Sequence, residues 1–164
     1  MIRPVAVVAL GLLLLGAAPV AFEARVESVH DGDTVRFAGG RVCRLLGLDA
    51  PELAQPLGEH AQRALVGLLP LVREGRPVTV LHYGRDRYGR LLCWVLGPGG
   101  EAVNLELVRA GLAEVYLAER SPFRHGLEAA QEEARNSRRG VWGLEGYESP
   151  SAYRKRLREG RARP

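Results

Sequence analysis

Short alternations of apolar and polar residues fill the stretch EARVESVHDGDTVRFAGGRVCRLLGL, residues 23–48, broken at Asp31-Gly32 and at Gly39-Gly40. A period of two with glycine at the breaks predicts three strands, over 23–30, 33–37 and 41–47. The last two are joined by a hairpin at Gly39-Gly40, where a positive φ is cheap. At residue 58 the period changes. Ala61, Leu65 and Leu68-Leu69 recur at helical spacing, which predicts a helix over 58–72. Two more strands, 77–83 and 91–96, flank a polar loop, GRDRYGR, and Gly97-Pro98-Gly99-Gly100 marks a turn. Asn104 is expected to cap a short helix that carries Glu106 in its first turn and stops at Gly111. Ser121-Pro122 is expected to open a third helix, which runs to about Arg138 and stops at Gly140.

Five short strands with a helix after the third and two helices at the end make an α+β chain with a mainly β core. The expected architecture is a five-stranded OB-fold barrel with three helices packed outside it. Ahead of it, Val5–Ala18 is an uncharged apolar run of 14 residues preceded by Arg3. That run is long for a strand and short for a spanning helix, and it reads as a secretory signal or as an uncleaved N-terminal anchor. The expected organisation is therefore residues 1–21 as signal or anchor, 22–146 as the folded domain, and 147–164 as a basic tail. Both readings of the leader place the body outside the cytoplasm: secreted, periplasmic or tethered to the envelope through residues 5–22.

Charge sharpens this division. The chain of 164 residues carries a net +4. Residues 151–164 hold six basic side chains against Glu159, a net +5, whereas residues 22–150 are slightly acidic, with 16 basic and 18 acidic residues. The body is not a general polyanion binder, so contact with nucleic acid must come through placed arginines, with the tail adding unspecific attraction. The tail reads either as a short basic helix or as a loose terminus.

Three segments concentrate acids and arginines at strand ends: Asp31-Gly32-Asp33-Thr34, Arg44-Leu-Leu-Gly-Leu-Asp49-Ala50-Pro51-Glu52 and Asp86-Arg87-Tyr88-Gly89-Arg90. Singly each reads as a turn or a strand exit. Together they supply carboxylates for a hard cation and forked cations for phosphate, the inventory for cleaving a phosphodiester. Over Val26–Trp142 the chain resembles the staphylococcal nuclease (thermonuclease) family in its secreted bacterial form. DGDTV, RLLGLDAPE, QPLGEHA, DRYGR, VNLELVRAGLAEV and GVWG stand in the family's order.

The resemblance implies a Ca²⁺-dependent enzyme, acting as a monomer, that hydrolyses DNA and RNA with little sequence preference and leaves 3′-phosphate ends. It implies Asp33, Asp49 and the backbone carbonyl of Ala50 as Ca²⁺ ligands, with Asp31 orienting water around the ion. Arg44 and Arg90 match the family's phosphate-gripping arginines and Glu52 its general base. Arg87 and Tyr88 match residues that hold a terminal phosphate, and Tyr116 lies where a tyrosine meets the base. The alternative function is a nuclease-like OB module that binds nucleic acid or protein without cleaving it. Strand parity adds one expectation. With Arg44 and Arg90 facing one site, Cys43 and Cys93 both face into the barrel, where an exported chain could join them in a disulfide.

Overall fold

The computed structural model describes residues 19–70, 74–116 and 121–161. Residues 1–18, where the signal or anchor was expected, and residues 71–73, the end of the expected first helix, lie outside the described residues. The strands are β1 (Val20–Ala24), β2 (Val26–Val29), β3 (Thr34–Phe37), β4 (Val42–Leu45), β5 (Leu48–Asp49), β6 (Val78–Arg85), β7 (Leu91–Leu96) and β8 (Glu114–Val115). The helices are α1 (Gly58–Leu68), α2 (Val103–Arg109), α3 (Arg124–Asn136) and α4 (Pro150–Arg161), and a 3₁₀ turn covers Gly140–Gly143.

Six strands form one mixed sheet in the order β1-β6-β7-β4-β3-β2, and β5 pairs with β8 apart from it. The expected first strand is thus two. Val20–Ala24 pairs antiparallel with β6 and Val26–Val29 with β3, so the chain changes partner at Arg25. The outer edges of the sheet are consecutive segments of chain, which obliges the sheet to curl; no closed hydrogen-bonded barrel forms among the described residues. β1 also begins at Val20, inside the segment assigned to the leader, with Val20 opposite His82 and Ala21 opposite Leu81. The expected third strand divides as well. Gly47, at φ +82°, ends the run after Leu45 and redirects Leu48-Asp49 to β8.

β4 shows why the sheet has an active and an inert face. Cys43 and Leu45 are buried whereas Val42 and Arg44 turn the other way. Inside lie Val26, Val35, Phe37, Leu45, Val80, Val95 and Leu65 of α1, all fully buried. Trp94 stacks on Phe123 with centroids 3.8 Å apart, which seats the start of α3 on the sheet. The third helix starts at Arg124, later than expected, because the Ser121 hydroxyl accepts the Phe123 N–H (3.2 Å) and closes a turn ahead of it.

Cys43 and Cys93 meet in this core as free thiols, not as the expected disulfide. β4 and β7 run parallel with Cys43 opposite Leu91 and Cys93 opposite Leu45, so the cysteines are diagonal neighbours. Diagonal positions lie about 7–8 Å apart, beyond the separation a disulfide spans without moving backbone. Burial, reinforced by the neighbouring Cys93 thiol, pushes the Cys43 thiol well above its ordinary pKa.

Asn104 is likewise not a helix cap. α2 begins at Val103 behind Ala102, and Asn104 is wholly buried. Its Oδ1 accepts the Val95 N–H (3.0 Å), and its Nδ2 donates to the carbonyls of Leu46 (3.0 Å) and Cys93 (3.1 Å). One amide thereby pins α2 to β7 and to the bend that delivers β5.

Two outcomes follow from this packing. Asn104→Ala strands the Val95 N–H and the Leu46 carbonyl in apolar surroundings and should lower stability by about 2–4 kcal/mol. A reduced urea midpoint at unchanged slope would show it. Unfolding without reductant should expose two alkylatable thiols by mass spectrometry; a single unreactive pair would show that β4 and β7 shift to bond.

Candidate active site

The turn between β2 and β3 is self-ordered. The Asp31 carboxylate accepts the Asp33 N–H (3.0 Å), an Asx turn that points Asp33 inward. Gly32 lets this turn pack under the site. A Cβ there would lie 2.7 Å from the Cβ atoms of both Ala50 and Ala61, a distance real side chains do not tolerate. Asp33 is then buried, with Oδ1 accepting from the Thr34 hydroxyl (3.0 Å) and Oδ2 from the Ala50 N–H (2.9 Å). The last bond ties the Asp-Gly-Asp turn to the segment that follows β5.

Arg44, on the active face of β4, joins the two carboxylates. Its Nη1 pairs with Asp33, and its Nη2 bonds Asp49 Oδ1 (2.7 Å) and the Leu48 carbonyl (3.1 Å). Asp49 has no solvent exposure at all. Two buried carboxylates within reach of one guanidinium form a site that demands positive charge. Burial pulls the Arg44 guanidinium below its usual pKa, and Asp49 opposes that pull.

Glu52 is held by its backbone. Its N–H donates to Gln55 Oε1 (2.9 Å) while its carbonyl accepts the Gln55 N–H (2.8 Å). Gly58 closes this turn against α1, because a Cβ at Gly58 would sit 1.9 Å from the Glu52 carbonyl oxygen. The carboxylate is left half-exposed, aimed at the cleft.

The loop between β6 and β7 is organised by Asp86. Its Oδ1 accepts the N–H groups of Tyr88 (2.9 Å) and Arg90 (3.0 Å), and its Oδ2 accepts Arg90 Nε (2.7 Å). Burial acts to raise the Asp86 pKa, but the Arg90 side chain and the two backbone donors outweigh it and leave the carboxyl below the ordinary range. Binding Arg90 through Nε leaves the terminal nitrogens free for another acceptor. Arg87 and Arg90 both lie over the Tyr88 ring, at 4.8 and 5.5 Å from its centroid.

These pieces share one open cleft of about 600 Å³. Asp31, Asp33, Arg44, Ala50, Glu52, Arg87, Tyr88, Arg90 and Tyr116 line it, and Asp49 lies just beneath its floor. Every residue expected from sequence to hold cation or substrate, or to act on it, is therefore in or under one concavity. Among the described residues no three His, Cys, Asp or Glu side chains cluster closely enough to hold a metal alone. A cation here would be shared by Asp33, Asp49, backbone oxygen, water and substrate.

The sequence reading missed several members. The expected loose or helical tail is α4, and it inserts Arg154 and Arg158 into the cleft wall. Arg154 bonds Asp49 through both terminal nitrogens (2.7 and 3.2 Å) and Glu52 Oε1 (2.8 Å). Those hydrogen bonds, Asp49's first, raise its pKa. Glu114 stands opposite Asp49 across the β5–β8 pair. Burial and then the Asp49 charge raise its pKa, and the Tyr147 hydroxyl donates to it (3.4 Å). The net +5 of the tail was the available signal for Arg154; nothing local separates it from its neighbours. Glu114 carried none, because its role depends on which strand pairs with β5.

The Asp86 clamp makes a pH prediction. A depressed carboxyl contributes order that is complete above its unfolded pKa of about 4 and is lost as pH falls through its lower folded value. Side-chain carbon shifts of Asp86 should titrate below those of exposed aspartates, and amide protection at Tyr88 and Arg90 should fall with it. Titration of Asp86 at the ordinary value would show that the clamp is absent in solution.

Comparison with known proteins finds nucleases. A family model described as staphylococcal nuclease homologue matches residues 42–143. An uncharacterized endonuclease of Escherichia coli is 40% identical over 121 residues, covering 72% of this chain and 75% of its own. Endonuclease Htp3 of Saprolegnia parasitica is 32% identical over 162 residues, covering 80% of this chain and 75% of its own. The staphylococcal-like nuclease CAN1 of Arabidopsis thaliana is 35% identical over 117 residues, which span 71% of this chain and 34% of that protein.

Proposed function

The chain belongs to the staphylococcal nuclease family, and we propose that it is a Ca²⁺-dependent nuclease that hydrolyses phosphodiester bonds in DNA and RNA with little sequence preference. The observation that carries this reading is the convergence of Arg44, Arg90 and Glu52 above the buried Asp33–Asp49 pair. The donor chemistry fits a hard cation: two carboxylates converge on one positive charge, and the remaining ligands would be the Ala50 carbonyl, water and phosphate. When bound, Ca²⁺ would neutralise phosphate charge and act as a Lewis acid.

The chain's own groups divide the remaining work. Arg44 stands on β4 and Arg90 in the loop just ahead of β7; once a cation takes over Asp33 and Asp49, both guanidinium groups can fork the equatorial oxygens of an attacked phosphate, where charge gathers. Glu52, half-exposed and beside them, accepts the proton of the attacking water. Breaking the bond from phosphorus to the 5′-oxygen leaves a 3′-phosphate on one product and a 5′-hydroxyl on the other. Arg87 and Tyr88, fixed by the Asp86 turn, face the cleft as a grip for a flanking phosphate. Tyr116, partly exposed at the same rim, offers a ring face to a base. We further propose that the protein acts as a monomer outside the cytoplasm, on the apolar Val5–Ala18 run after Arg3.

The test is incubation of the protein with single-stranded DNA and with RNA, in Ca²⁺ or in chelator. Cleavage in Ca²⁺ alone is expected; equal inertness in both would favour the non-catalytic binding module. Arg44→Lys and Arg90→Lys should each lower kcat by roughly 10²–10³, since an ammonium cannot reproduce a planar fork. Glu52→Gln should lower kcat by roughly 10²–10⁴ with little change in nucleotide binding. Near wild-type turnover in any of the three would remove that residue from its role.

A further inference from the structure

Arg154 stands where the chemistry of this site does not call for a side chain. It comes from 105 residues beyond Asp49, on the last helix, yet both of its terminal nitrogens bond that carboxylate. Nη1 also bonds Glu52 Oε1 at 2.8 Å. Each Asp49 oxygen therefore already accepts from a guanidinium: Oδ1 from Arg44 and Arg154, Oδ2 from Arg154.

The helix that presents Arg154 is docked onto the turn that holds Glu52. Gln55 accepts the Glu52 N–H through Oε1 and donates through Nε2 to the Glu148 carbonyl (3.0 Å). Glu148 in turn takes a two-point bond from Arg156 (2.9 and 2.8 Å), and the Ser149 hydroxyl accepts the Ala152 N–H (3.2 Å). Glu52, Gln55, Glu148, the first turn of α4 and Arg154 thus form a closed circuit that returns to Glu52. The guanidinium is delivered by construction, not by the swing of a free tail.

We infer that Arg154 is a positioning residue that serves as the resident counter-ion of Asp49 and Glu52, so that a divalent cation must displace it to enter and the C-terminal helix sets the cation affinity of the site. The inference rests on the reading of Asp33 and Asp49 as cation ligands. Of the two arginines on Asp49, Arg154 is held the more loosely. Its side chain is 38% exposed, against 13% for Arg44, which is also tied to Asp33 and the Leu48 carbonyl. Until then Arg154 keeps Asp49 paired, which a wholly buried carboxylate requires. Once displaced, Arg154 remains on the cleft wall one turn from Arg158, facing the space that a nucleic-acid phosphate would fill.

If Arg154 is released in about one molecule in ten, the apparent cation dissociation constant is raised about tenfold over that of the open site. Calorimetric titration of the full-length protein with CaCl₂, without nucleic acid, tests this. Arg154→Ala should bind Ca²⁺ about tenfold more tightly than wild type. Arg154→Lys, which keeps charge and loses the fork, should fall between them. Lys155→Ala removes the same charge from the exposed side of α4 and should stay within about twofold of wild type. Circular dichroism establishes whether α4 persists in each variant. Wild type that binds Ca²⁺, with Arg154→Ala no tighter, would overturn the inference and leave the cation reading standing. A Lys155→Ala effect as large as that of Arg154→Ala would reduce it to general charge and overturn it too. No Ca²⁺ binding by any of the proteins would overturn the cation reading, and the inference with it.

Discussion

A carboxylate with no solvent exposure, Asp49, is the constraint on which the site is built. A buried charge of this kind is costly unless it is paired and hydrogen-bonded, and breaking such a pair costs more than forming it gains. Three elements are arranged around that need. β4 supplies Arg44, α4 supplies Arg154, and the β5–β8 pair holds the Asp49 backbone in place. The same need explains why Gly47 bends the chain after Leu45 and why Asn104 is spent on fastening the Leu46 carbonyl. Without that bend Asp49 would continue β4 and would not lie under Arg44.

The other half of the cleft works by a different rule. Asp86 is a surface-loop carboxylate whose bonds run within five residues, and it orders Tyr88 and Arg90 without burying them. Arg90 is therefore preset and still has nitrogens to offer, whereas both terminal nitrogens of Arg44 are committed to Asp33, Asp49 and the Leu48 carbonyl. The two arginines are thus held by unlike means: one by a local turn, the other by long-range buried pairs. Damage to packing should disturb Arg44 before it disturbs Arg90.

How far this was legible in the sequence varies with the range of the interaction. Asp31-Gly32-Asp33 and Asp86–Arg90 are local turns, and their roles follow from residue type and spacing. Arg44 and Cys43 could be sent to opposite faces because parity is local as well. The partner change at Arg25 could not be read, because 23–30 alternates like one strand and only the pairings with β6 and β3 divide it. Asn104 has the residue type of a cap, and the burial that makes it a core hub depends on β7 and the Leu46 bend packing over it. Cys43 and Cys93 face the same interior, as parity requires, but the parallel register of β4 on β7 sets them on a diagonal. Arg154 is one of six basic residues in the tail, and only the docking of α4 through Gln55 and Glu148 singles it out.

On the reading proposed above, Asp33, Asp49, Arg44 and Arg90 form a single cation-and-phosphate centre. A crystal structure with Ca²⁺ and a non-hydrolysable dinucleotide tests it most directly. Ca²⁺ is expected in contact with the carboxylates of Asp33 and Asp49, at about 2.3–2.6 Å. The phosphate oxygens should be forked by Arg44 and Arg90, and Arg154 should be withdrawn from Asp49. A phosphate bound elsewhere on the surface, with Arg44 still bridging both aspartates and no cation beside them, would contradict it.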